Sequence, residues 1–133
     1  MVFSTVTPSP GGAETILIIE DQTGMRNHTR VALEDIGYRV LDAADGKEAI
    51  AVAERFPGPI HVLLTDVILP GIDGLNVSAQ LSARRPNLKV IYMSGYPSAV
   101  IGEKGGIAKG ITFLPKPYGP DELAGKVREV LGK

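Results

Sequence analysis

Asp66 closes the apolar run "HVLLTD" and is followed at once by "VILPGIDG", so a carboxylate stands at the edge of a buried strand with a Pro–Gly loop beyond it. An aspartate is a poor strand residue and is costly to bury alone. Other apolar runs end in the same manner: Glu20 and Asp21 follow "TILII", Ser94 ends "KVIYMS", and Lys116 follows "ITFLP". If these runs lie side by side, three carboxylates, a hydroxyl and an ammonium meet at one edge. Clustered carboxylates raise one another's pKa unless a cation joins them. A hard divalent ion, Mg²⁺ or Mn²⁺, fits that need because it takes oxygen ligands and keeps several waters. The set also suits phosphoryl transfer: the ion and Lys116 neutralise phosphoryl oxygens, Ser94 donates a hydrogen bond, and Asp66 attacks in line. Singly, each residue has a plainer reading: Glu20–Asp21 as a solvated strand end or helix cap, Asp66 as a turn cap, Ser94 as a turn residue, Lys116 as a surface charge. Their joint placement at four of five strand ends favours the chemistry.

The elements that must position them alternate strictly. Strands are expected at 15–20, 39–43, 60–65, 89–94 and 111–115. Between and after them, helical spacing predicts segments at about 24–36, 46–55, 74–84, 98–108 and 120–131. The first places Met25, Thr29, Ala32, Leu33 and Ile36 on one side and stops at Gly37; the third uses Leu75, Ala79 and Leu81. The last has Pro120 in its first turn, Asp121 and Glu122 near the positive end of its dipole, and an apolar stripe of Leu123, Val127, Val130 and Leu131. The fourth is expected to be short, since Gly102, Gly105 and Gly106 each cost ~1 kcal/mol in a helix. Near-continuous apolar strands alternating with helices mean a parallel sheet covered on both faces, an α/β doubly wound fold. In such sheets ligands sit beyond the carboxyl ends of the strands, where the polar residues gather.

The chain's 133 residues suffice for one core, and a formal net charge of −1 argues against a nucleic-acid binder. With no cysteine, disulfides, thiolate metal sites and cysteine nucleophiles are excluded. No apolar run approaches the ~20 residues that span a bilayer, and no basic-then-apolar leader opens the chain. A soluble cytoplasmic domain is therefore expected over 14–133, with residues 1–13, "MVFSTVTPSPGGA", as a linker or tail. His28, on a helix, and His61, near a strand start, read as structural.

The stretches "ILIIEDQ", "LLTDVILPGIDG", "VIYMSGY" and "FLPKPY", in that order, resemble the receiver domain of bacterial two-component response regulators from about residue 14 to 131. The resemblance implies a flavodoxin-like, five-stranded parallel sheet of order 2-1-3-4-5. It also implies Asp66 as phosphoacceptor, Asp21 binding Mg²⁺ directly, Glu20 through water, and the Ile68 main-chain carbonyl as a further ligand. Ser94 and Lys116 would bind the phosphoryl group, and Phe113 falls where the family keeps a switch aromatic. Ile68 and Tyr96 would flank the path of hydrolytic water. The implied partner is a histidine kinase or histidine phosphotransfer domain, with readout on the face built from the fourth helix, fifth strand and fifth helix, and with a monomer or weak dimer as the assembly. The opening "GGAETILIIEDQ" with "YMSGY" and "LPKPY" is similar to receivers fused C-terminally to hybrid sensor histidine kinases; a free-standing single-domain regulator is the alternative. A haloacid-dehalogenase-type phosphatase would need a second aspartate where Ile68 stands, and a flavin-binding module would need a phosphate loop where "EDQTG" repels phosphate. Lys116–Pro117 is expected to be a cis peptide.

Overall fold

The structure, a computed structural model, describes residues 14–94 and 112–132. The expected tail at 1–13 and the fourth helical segment at 98–108 lie outside the described residues. Strands β1 (Thr15–Ile19), β2 (Arg39–Ala43), β3 (Val62–Asp66), β4 (Lys89–Ser94) and β5 (Thr112–Pro115) form one sheet in the order β2-β1-β3-β4-β5. Every pairing is parallel. Helices α1 (Thr23–Asp35), α2 (Gly46–Arg55), α3 (Gly74–Arg84) and α4 (Pro120–Leu131) cover it.

Strand residues alternate between two cores, which is why β1 and β3 read as unbroken apolar runs. Ile16, Ile18, Val62 and Leu64 meet Leu33 of α1 and Leu123 and Val127 of α4. Leu17, Ile19 and Leu63 meet Ala49 and Ala53 of α2 and Val77 and Leu81 of α3. The sheet is thus doubly wound, as the alternation predicts. Two helix starts are fixed by side chains: Asp45 Oδ1 accepts from the Glu48 N–H, and Asp73 Oδ1 from the Asn76 N–H. At α4, Pro120 occupies the first turn and Glu122 Oε1 accepts from the Gly119 N–H. Among the described residues no helix is long and apolar enough to cross a membrane.

Local details depart from the sequence expectations. Ile36 is not on the buried side of α1 but is its C-cap, 41% exposed, because the chain leaves helical geometry there, one turn after the buried Leu33. In α3 the inward face is Gly74, Val77, Ser78 and Leu81, while Ala79 is exposed. Gly74 dictates that face: a Cβ there would meet the Asp66 carbonyl oxygen at 2.0 Å, so the glycine must press against the end of β3 and the helix phase follows. β3 also starts later than expected, at Val62, and includes Asp66. His61 precedes it and is structural, its Nδ1 accepting from the Thr15 N–H at 2.9 Å. The Lys116–Pro117 peptide is cis.

Candidate functional site

Parallel topology sends the carboxyl ends of β1, β3, β4 and β5 to one edge, and the polar residues flagged in the sequence meet there. Asp66 ends β3 and is buried; its position is locked from below by Gly74, whose N–H donates to the Val67 carbonyl at 2.8 Å. Glu20 follows β1 and is 1% exposed. Its Oε2 accepts from the Gln22 N–H at 3.1 Å, and its main-chain carbonyl accepts from Arg26 Nη1 at 2.7 Å. Asp21, next in the chain, is exposed. One oxygen from each of Glu20, Asp21 and Asp66 lies within 4.8 Å of the others.

Lys116, just beyond β5, reaches back over this edge. Its Nζ lies 2.8 Å from Glu20 Oε1 and 2.7 Å from Asp66 Oδ1. Burial, the Lys116 ammonium and the neighbouring Glu20 charge act on Asp66 together. Burial dominates: with Glu20 adding to it and Lys116 only partly offsetting it, the Asp66 pKa rises from 3.8 to about 7. Glu20 also feels burial, but the Lys116 and Gln22 hydrogen bonds outweigh it and its pKa falls below the usual carboxylate value. Lys116 is likewise desolvated, yet its two carboxylate partners outweigh that and raise its pKa. The three groups form a charge-coupled set in which Asp66 bears the unfavourable share.

A cleft of about 200 Å³ opens over the set, bordered also by Gln22, Ile68, Met93 and Ser94. Ser94 is buried at the end of β4, and the Ile68 side chain is 67% exposed at the rim. Phe113 does not border this cleft; it packs with Val67 and Tyr92, alongside Leu75 and Val90. Tyr96 lies outside the described residues.

The donor set suits a hard cation. Three carboxylates face one ammonium, and Asp66 Oδ1, shielded from solvent, has that ion contact but no aligned hydrogen-bond donor among the described residues. Oxygen ligands of this kind, one of them solvent-exposed, match an ion that retains waters. Sequence reasoning missed two supports of the site. Arg26, placed within the first helix and given no role, clamps the Glu20 carbonyl, a signal available in principle from a basic residue one turn beyond an acidic pair. Tyr118 places its hydroxyl 2.9 Å from Thr29 Oγ1, a pairing across 89 residues that no local pattern reveals.

The model of the response regulator receiver domain matches residues 16–128 of the chain. The chain belongs to this family. It is a receiver domain of two-component phosphorelay signalling, a signalling module and not a classical enzyme. The haloacid-dehalogenase and flavin-binding alternatives fall away with that match. The sensor kinase CckA of Brucella abortus is 34% identical over 122 residues, covering 92% of this chain but 13% of that protein. A crystal structure of the receiver domain from the hybrid histidine kinase CckA superposes with a TM-score of 0.74 at 38% identity, covering 88% of this chain and 98% of that one. The response regulator TrrA of Thermotoga maritima, solved in complex with Mg²⁺-BeF, gives a TM-score of 0.72 at 25% identity, covering 88% and 98%. Receiver domains work with histidine kinases or phosphotransfer proteins.

Proposed function

We propose that this receiver accepts a phosphoryl group on Asp66 from the phosphohistidine of a histidine kinase or histidine phosphotransfer domain. The observation that carries the reading is the coupled set at the strand ends, in which Lys116 Nζ bridges Glu20 and Asp66 at 2.8 and 2.7 Å beneath an open cleft. Glu20, Asp21 and Asp66, with the Ile68 main-chain carbonyl, would hold Mg²⁺ or Mn²⁺, which when bound neutralises both the carboxylates and an incoming phosphoryl group; the Mg²⁺-BeF complex of TrrA supports this choice of ion. An Asp66 carboxylate oxygen attacks phosphorus, the O–P bond forms, and the P–N bond to the donor imidazole breaks in line. Lys116, released from Asp66 Oδ1 as that oxygen's charge passes to the acyl phosphate, pairs with a phosphoryl oxygen. Ser94 donates to another. The chain thereby promotes its own phosphorylation.

Phosphorylation biases a conformational equilibrium read on the surface that includes β5 and α4, with Ser94 and Phe113 as the switch pair. Phe113 has no hydroxyl, so its share is ring packing against Val67 and Tyr92. Likeness to CckA supports an origin in a hybrid kinase. The Ser-, Pro- and Gly-rich composition of residues 1–13 supports a linker there, and the near-zero net charge supports a module that does not itself contact nucleic acid. A monomer or weak dimer fits the balanced charge.

The test is exposure of the purified chain to acetyl phosphate with and without Mg²⁺, read by intact mass. Wild type gains one phosphoryl group, dependent on the metal, and Asp66→Asn gains none. Equal labelling of Asp66→Asn removes the assignment.

A further inference from the structure

We propose that Tyr118 is a positioning residue: its hydroxyl ties the segment bearing Lys116 to α1 and β4 and so holds the lysine ammonium between Glu20 and Asp66. The inference rests on the reading of Asp66 as the phosphoryl acceptor.

Lys116 lies outside β5, whose last residue is Pro115, and its four-carbon stem has no intrinsic preference for the geometry it adopts. The Lys116 N–H does donate to the Ser94 carbonyl at 2.9 Å, which fixes one end of the segment. Tyr118 fixes the other. Between them stands Pro117, whose ring restricts φ, so few torsions separate the tyrosine anchor from the lysine Cα. The Tyr118 ring packs against the core shared by α1 and α4, which restricts its rotation.

Its hydroxyl then makes two contacts. It donates to Met93 Sδ at 3.3 Å and lies 2.9 Å from Thr29 Oγ1, from which it accepts when its own proton is on the sulfur. Met93 precedes Ser94 and borders the cleft. Thr29 is buried on α1, the helix entered directly from the Glu20–Asp21 turn and clamped to it by Arg26. One oxygen atom therefore links the three segments that bear the lysine, the hydroxyl and two of the acids. A phenylalanine would fill the same space without the tether. Tyr118 is half-buried, and a hydroxyl withdrawn from water is unfavourable unless it is hydrogen-bonded, a condition the two partners supplied here fulfil.

The experiment measures the rate of phosphorylation by acetyl phosphate at saturating Mg²⁺, on variants whose fold is confirmed by circular dichroism at the assay temperature. Tyr118→Phe is isosteric apart from the oxygen, and the Thr29 hydroxyl it leaves can turn to a carbonyl of its own helix, so the fold is expected to persist. Tyr118→Phe and Thr29→Val should each slow phosphorylation roughly three- to tenfold, the scale of one lost hydrogen bond, and the double variant should be no slower than the worse single. In a Lys116→Ala background, Tyr118→Phe should have no further effect, since the tyrosine acts through the lysine. A wild-type rate for Tyr118→Phe overturns the proposal, as does an undiminished loss in the Lys116→Ala background. Should wild type itself take no phosphoryl group, the reading of Asp66 fails and takes the proposal with it.

Discussion

Replacing Asp66 by asparagine should make the metal-free protein more stable, and more so at high pH. Burial and the Glu20 charge raise the Asp66 carboxyl from 3.8 to about 7. The folded chain therefore keeps a proton between about pH 4 and 7 that the unfolded chain has released. Stability falls as pH rises through that window and levels off above it. At ~1.36 kcal/mol per pH unit, ionising Asp66 in the fold costs on the order of 4 kcal/mol at pH 8, while at pH 5, where the folded carboxyl is still protonated and the unfolded one is not, the cost is less than half of that. Asparagine removes the charge and keeps the size, and the Lys116 ammonium retains Glu20 as its partner at 2.8 Å. Thermal unfolding in EDTA should show Asp66→Asn above wild type at both pH values, with the gap wider at pH 8 by on the order of 5–10 °C. Saturating Mg²⁺ should narrow the gap by stabilising wild type selectively. A mutant less stable than wild type at pH 8, or a gap that does not change with pH, would show that Asp66 is not under electrostatic strain.

Three other outcomes follow from the geometry. Gly74→Ala should abolish phosphorylation and lower the melting temperature sharply, because the new Cβ would sit 2.0 Å from the Asp66 carbonyl oxygen and 3.1 Å from the Val67 Cα, rigid backbone that cannot yield; unchanged melting and labelling would refute the close approach. Ile68→Asn should shorten the lifetime of the phosphorylated form with Mg²⁺ present, since Ile68 stands 67% exposed at the cleft rim and offers nothing to orient a hydrolytic water; a decay rate equal to wild type contradicts this. Arg85→Ala should cost about 2–4 kcal/mol in denaturant unfolding, as Arg85 donates to the Ala53, Phe56 and Gly58 carbonyls, while phosphorylation proceeds at the wild-type rate from the far end of the sheet; a slowed reaction would mean that the two ends are coupled.

The fold was legible because the strands are buried on both faces and punctuated by helical spacing and Gly–Pro breaks. Glu20, Asp21, Asp66, Ser94 and Lys116 could be placed at one edge from topology alone, since a parallel sheet sends all carboxyl ends the same way. What stayed hidden depends on contacts between distant segments. Leu75 and Ala79 satisfy a helical stripe with Leu81 as well as Val77 does; the glycine pressed against Asp66 brings Val77, not Ala79, inside with Leu81. Ile36 is apolar and in phase, yet the helix ends there. Arg85 carries no pattern that marks it in the sequence, yet it caps the carboxyl end of α2 and the loop after it. The Tyr118–Thr29 pair joins residues 89 apart, and no periodicity can propose it.

The most direct test of the central claim is to locate the phosphoryl group chemically. After phosphorylation, borohydride reduces an aspartyl phosphate to homoserine, which peptide mapping by mass spectrometry assigns to a single position. Homoserine in place of Asp66, formed with Mg²⁺ and absent in EDTA, is the predicted result. Reduction at Asp21 or at any other carboxylate, or labelling of Asp66 that persists without a divalent ion, would contradict the account.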